Sequence, residues 1–169
     1  MNTKLLVRKF IITLIFLSIC KVALADSATL NNGGTTTSQQ NIDGNGEFLT
    51  VSDNSTLNTG ATKPANVTAN NVDVTVESGS TITSTTVSIF TDNTSDLTVT
   101  NSGTISATGT TAIDVKGTTD ATIVNNSGGK ISSNTNTIRI SKTGSNNTTG
   151  LTITTVSYTH LTLPTTPYV

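Results

Sequence analysis

Leu97-Thr98-Val99-Thr100-Asn101-Ser102-Gly103-Thr104-Ile105 is the stretch on which the fold turns. It alternates apolar and polar residues, breaks at Ser-Gly, and resumes with a single aliphatic. Residues two apart in a strand share a face, so Leu97 and Val99 point one way and Thr98 the other. The same triplet recurs as Leu49-Thr50-Val51, Val74-Thr75-Val76, Ala121-Thr122-Ile123 and Leu151-Thr152-Ile153. Successive starts lie 25, 23, 24 and 30 residues apart, the last gap carrying the polar insert Ser145-Asn146-Asn147-Thr148-Thr149-Gly150. The middle copies are followed by a turn and one aliphatic, ending at Ile82, Ile105 and Ile131. A third element keeps the beat: Val87-Ser88-Ile89, Ile113-Asp114-Val115 and Ile138-Arg139-Ile140.

One such repeat cannot bury its own apolar face, whereas stacked repeats bury each other's. The pattern predicts an all-β fold, a right-handed parallel β-helix (β-solenoid) of about 25 residues per coil. Val74, Val76, Leu97, Val99 and Ile123 should point inward on one face, with Ile82, Ile105 and Ile131 beside them. Val87, Ile89, Ile113, Val115, Ile138 and Ile140 should line the third. Gly and Asn at the corners should supply positive φ. Phe90 breaks the alternation and should point outward or into a corner. Asp114 and Arg139 should be outward neighbours on adjacent coils, an exposed pair worth about 0–1 kcal/mol. A β-sandwich is the alternative, but it would need hairpin register rather than a 25-residue beat.

Around the repeats the chain divides into segments. Lys4, Arg8 and Lys9 precede an apolar run from Phe10 to Cys20, and Ala23-Leu24-Ala25 offers a small-residue cleavage site. Residues 1–25 therefore read as a signal peptide, too short to span a bilayer. Leu17-Ser18-Ile19-Cys20 is a competing lipobox, weakened by Ile19 where a small residue is needed. Residues 26–48 fall outside the beat and read as an N-terminal cap; 49–155 hold the repeats. After residue 25, five basic residues face ten acidic ones, a net charge of −5 against −1 for the whole chain. That surface has no footprint for nucleic acid or anionic lipid. Loss of Cys20, the chain's one cysteine, leaves no disulfide.

Composition changes after Thr155. Both Tyr residues, the one His and two of three Pro lie in 156–169. Val156-Ser157-Tyr158-Thr159-His160-Leu161-Thr162-Leu163-Pro164-Thr165 resembles one translated frame of a transposase sequencing adapter. That frame runs on through an index to Val169 and a stop. The stretch is set aside as an artefact, so the native repeats are expected to continue beyond Thr155.

Asn-Ser-Gly-Thr-Ile (101–105), Thr-Ala-Ile-Asp-Val (111–115) and Asn-Ser-Gly-Gly-Lys-Ile (126–131), behind a signal peptide, resemble autotransporter passenger domains. The likeness covers residues 49–155. It implies a bacterial cell-surface, outer-membrane or extracellular location, and an outer-membrane β-barrel translocator encoded downstream.

Residues 26–155 contain no His, Cys, Tyr or Trp. That excludes Ser-His-Asp and Cys-His catalysis, His or thiolate zinc sites, and Tyr or Trp platforms for sugars or bases. Carboxylates remain: Asp53, Asp73, Asp92, Asp96, Asp114 and Asp120 are scattered, and Asp92 with Asp96 reads as a polar corner. Asp43-Gly44-Asn45-Gly46-Glu47 alternates oxygen ligands but lacks the closing acid of an EF-hand, and reads as a turn. Six Asn-x-Ser/Thr triplets follow from composition. No catalytic, cofactor or metal residue is assigned. The expectation is an exported structural or adhesive passenger, not an enzyme, whose surface or carbohydrate ligand is unspecified. The start of a secreted carbohydrate-active β-helix enzyme, or of a two-partner-secreted or surface-layer solenoid, is the alternative.

Overall fold

A computed structural model describes residues 27–156. The segment expected to be a signal peptide, with Cys20, and the tail from Ser157 onward lie outside the described residues. Val156 still donates its backbone NH to the Asn125 carbonyl at 2.9 Å.

Sixteen strands wind into five coils and the first strand of a sixth. The coils are β1–β3 (Ala28–Leu30, Thr35–Thr36, Gln40–Ile42), β4–β6 (Phe48–Val51, Thr56–Asn58, Ala65–Val67) and β7–β9 (Asp73–Val76, Thr81–Ser84, Val87–Asp92). Then come β10–β12 (Thr98–Asn101, Thr104–Ala107, Thr111–Lys116), β13–β15 (Thr122–Asn125, Lys130–Ser133, Asn136–Ser141) and β16 (Thr152–Thr155). Every third strand joins the same sheet, giving three parallel sheets: A (β1-β4-β7-β10-β13-β16), B (β2-β5-β8-β11-β14) and C (β3-β6-β9-β12-β15). All strand pairings are parallel, so the sandwich alternative is excluded and the β-solenoid stands.

The inward columns form the core. Val74, Val76, Val99, Ile123, Ile82, Ile105, Ile89, Ile113 and Val115 are fully buried, and Leu97 nearly so. Each is worth about 1.5–3 kcal/mol on full burial. Val87 is buried but lies outside the main cluster, while Ile131 and Ile138 are half-buried against it. Ile140 departs from expectation, at 56 % exposed. It continues the Val115 position into β15, the last strand of sheet C among the described residues, with no described strand stacked above it.

Two readings are corrected. Residues 26–48, expected to fall outside the beat, stack on the repeats as a shorter rung. Ala28 pairs with Leu49, Thr35 with Thr56 and Gln40 with Ala65, so the segment is a rung of the stack, 21 residues long in sheet A. The triplet alignment also slips by two. Val74 pairs with Val99, not Leu97, which makes the sheet A spacings 25, 25, 24 and 30 from Leu49 to Ile153. The cause is the A–B corner. Val51 to Leu57, Val76 to Ile82 and Asn125 to Ile131 each span six positions, but Asn101 to Ile105 spans four. Counting back from the turn therefore misplaces the strand, and a slip of two leaves every side chain on its correct face.

That shorter corner also changes the role of its glycine. Gly79 and Gly128 have φ of +80° and +82°, as expected of turn glycines, but Gly103 does not lie in the left-handed region. A Cβ at Gly103 would overlap the carbonyl oxygens of Glu77 and Ser80 in the coil below, so close approach of backbones demands glycine there. The buried Asn101 amide bridges the corner, donating to the Asn125 side chain at 2.6 Å and to the Lys130 carbonyl at 3.2 Å.

Candidate functional site

Sheet C carries the chemistry on its outer face. Its strands place Asn41, Asn66, Phe90, Asp114 and Arg139 in one outward column, neighbours fixed by the register. The lower part is an amide ladder, with Asn66 Nδ2 donating to Asn41 Oδ1 at 3.1 Å. Two positions along, Asp92, Lys116 and Ser141 form a second column.

The two columns interlock through charge. Arg139 Nε donates to Asp114 Oδ1 at 3.0 Å and its Nη2 donates to Asp114 Oδ2, a two-pronged pairing. Ser141 Oγ adds a long contact of 3.5 Å to Oδ1. Lys116 Nζ lies 3.7 Å from Asp92 Oδ2. Lys63, from the corner before β6, holds its ammonium 3.0 Å from the centre of the Phe90 ring, and Lys116 approaches the same ring at 5.9 Å. Cations over an aromatic face are drawn by the ring quadrupole.

The expected Asp114–Arg139 neighbours are therefore real, but the expected exposure is not. The Asp114 side chain is 1 % exposed while that of Arg139 is 46 % exposed. On a sheet face with long neighbours at Phe90, Lys116 and Arg139, a short aspartate is roofed over. Loss of the arginine would leave a covered carboxylate, a larger penalty than breaking a solvated pair. The hydrogen bond to Asp114 pushes the Arg139 guanidinium above its ordinary range, against partial burial. Burial pushes the Lys63 ammonium below its ordinary range and Lys116 adds to this; Asp114 and Asp92 oppose it.

Lys63, Lys116 and Arg139 are three of the five basic residues between 27 and 156. With Asp92 and Asp114 they make a locally cationic face, while Lys130 and Lys142 face seven acids elsewhere.

The other acidic candidates are dispersed. Asp53 sits in the A–B corner and Asp73 on sheet A, while Asp96 and Asp120 occupy the C–A corner with φ of 55° and 53°. Asp92 and Asp96, four positions apart in sequence, are separated by the bend, and it is Asp92 and Asp114 that share a face. Asn45 Oδ1 accepts the Asn70 NH at 3.0 Å, so the 43–47 stretch ties one coil to the next. Among the described residues no three His, Cys, Asp or Glu side chains converge as metal ligands. Sequence reasoning missed Lys63, which lies between strands and outside any periodicity. Phe90 had a signal: it is the one aromatic residue in 49–155.

No family model, curated protein or solved structure matches this chain.

Proposed function

We propose that the chain is an exported, surface-exposed solenoid that acts by contact rather than by catalysis, in the manner of an autotransporter passenger. The five-coil stack of parallel sheets supports this reading, because it presents an extended lateral surface. The basic, apolar and small-residue regions of residues 1–25 support export, and the Asn-Ser-Gly-Thr-Ile coil supports the passenger comparison. The outer face of sheet C is the contact surface, and an outer-membrane β-barrel would be its translocator. Both acids on that face are already engaged by cations, which suits recognition better than acid–base work.

The test is a fusion of the full chain to a reporter enzyme that matures only outside the cytoplasm, expressed in a Gram-negative host. Reporter activity that disappears when residues 1–25 are deleted supports export. Equal activity with and without those residues rejects it.

A further inference from the structure

We propose that the insert after β15 builds a binding groove for a neutral saccharide at the corner between sheets C and A. The six residues that lengthen this coil do not bulge away. Thr143 and Asn146 exchange backbone hydrogen bonds of 3.0 and 2.8 Å, closing a small hairpin. The hairpin folds down the side of the solenoid, past one coil and onto the next. Thr143 Oγ1 donates to Asp92 Oδ1, and Asn146 Nδ2 donates to Asn93 Oδ1, partners 51 and 53 positions earlier. Gly117 of the intervening coil makes this passage feasible, since a Cβ there would lie 3.0 Å from the Thr143 Cβ.

Between hairpin and corner lies a groove of about 440 Å³, a size within the roughly 300–1,000 Å³ range of small-molecule sites. Its lining is Asn, Ser, Thr and Gly throughout, with no charged and no large apolar side chain. An ion would leave water with no opposite charge to meet it, and an apolar ligand would find nothing to bury against. A ligand with many hydroxyls finds both donors and acceptors.

The amides are also oriented in advance. Asn70 Oδ1 accepts the Ser95 NH at 2.8 Å, which turns its Nδ2 toward other partners. Asn93 uses its oxygen and Asn146 its nitrogen in their mutual bond, leaving Asn93 Nδ2 as donor and Asn146 Oδ1 as acceptor. Side chains held by the protein's own hydrogen bonds lose little freedom on binding. This inference adds a corner site distinct from the contact face of sheet C, and rests on the adhesive reading above for biological meaning. It is read on purified protein, however, so failed export and failed binding are separate results.

The experiment is saturation-transfer NMR and a glycan array on the full chain, with neutral and acidic oligosaccharides at low and high salt. Neutral glycans should bind in a salt-independent way. Asn147→Ala and Ser145→Trp, at two exposed groove positions with no fold-holding hydrogen bond, should each weaken binding about tenfold or more with unchanged circular dichroism. Thr75→Trp on sheet A should leave binding intact. The proposal is overturned if no neutral glycan binds, or if neither groove variant alters binding. It is equally overturned if only acidic glycans bind and Lys63→Ala with Lys116→Ala removes them, which would place recognition on sheet C.

Discussion

The outer faces of sheets A and C are built on the same inner scaffold and look unlike each other. On sheet A one outward column reads Thr50, Thr75, Thr100, Val124 and Thr154, nearly the same residue at every coil. On sheet C the column reads Asn41, Asn66, Phe90, Asp114 and Arg139, and from the third coil upward each coil presents different chemistry. Stacked Thr side chains satisfy the demands of a pleated parallel sheet, being β-branched outside a buried backbone ladder. Nothing in stacking alone asks for an aromatic ring, a roofed carboxylate and three cations on one face. Where a solenoid repeats itself the residue serves the stack; where it stops repeating, another requirement has entered.

The comparison can be broken from the inside out. If the two sheets differ outside alone, their inner columns should respond alike. Ile113→Ala beneath sheet C and Ile123→Ala beneath sheet A should each destabilise by about 2–5 kcal/mol in urea unfolding. A much smaller loss for Ile113 would mean that the outer charge cluster, not the core, holds sheet C.

Arg139→Ala should come next, at about 1–3 kcal/mol, because Asp114 loses its charged partner while Phe90 and Lys116 still cover it in part. The half-exposed arginine places the value toward the low end. The double variant with Asp114→Ala should recover part of the loss, and a double-mutant cycle showing no coupling would refute the two-pronged pairing.

At the A–B corner, Gly103→Ala should exceed Gly79→Ala and Gly128→Ala in cost. The added methyl at Gly103 meets backbone carbonyls, whereas at Gly128 it meets open space and suffers strain alone, about 1 kcal/mol. Equal melting temperatures for Gly103→Ala and Gly128→Ala would argue against the tight four-position corner. The smallest effects belong to the surface. Lys63→Ala should lose about 0.5–1 kcal/mol of cation–aromatic attraction, and Thr75→Ala on sheet A should stay within about 0.5 kcal/mol.

The alternation of Leu, Val and Ile with Thr, repeated near 25 residues, already determined that this chain is a parallel solenoid and which side chains face its core. Both follow from the two-residue period of a strand and from the inability of one coil to bury itself. Register was another matter. A shift of two preserves inward and outward faces, so matching triplets could not distinguish Leu97 from Val99 as the partner of Val74. A legible signal existed at the C–A corner, where Gly46, Asn71, Asp96, Asp120 and Gly150 all take positive φ at the true spacings of 25, 25, 24 and 30. Those residue types tolerate the left-handed region, and they mark the corner more sharply than the strands do. Tertiary structure alone decided the rest. The burial of Asp114 depends on what its stacked neighbours happen to be, and Lys63 reaches Phe90 from a corner with no periodicity. The hairpin around Thr143 and Asn146 grips residues more than fifty positions away, because the solenoid brings them two coils below. Local pattern reports which face a residue is on, and the stack alone reports which residues meet there.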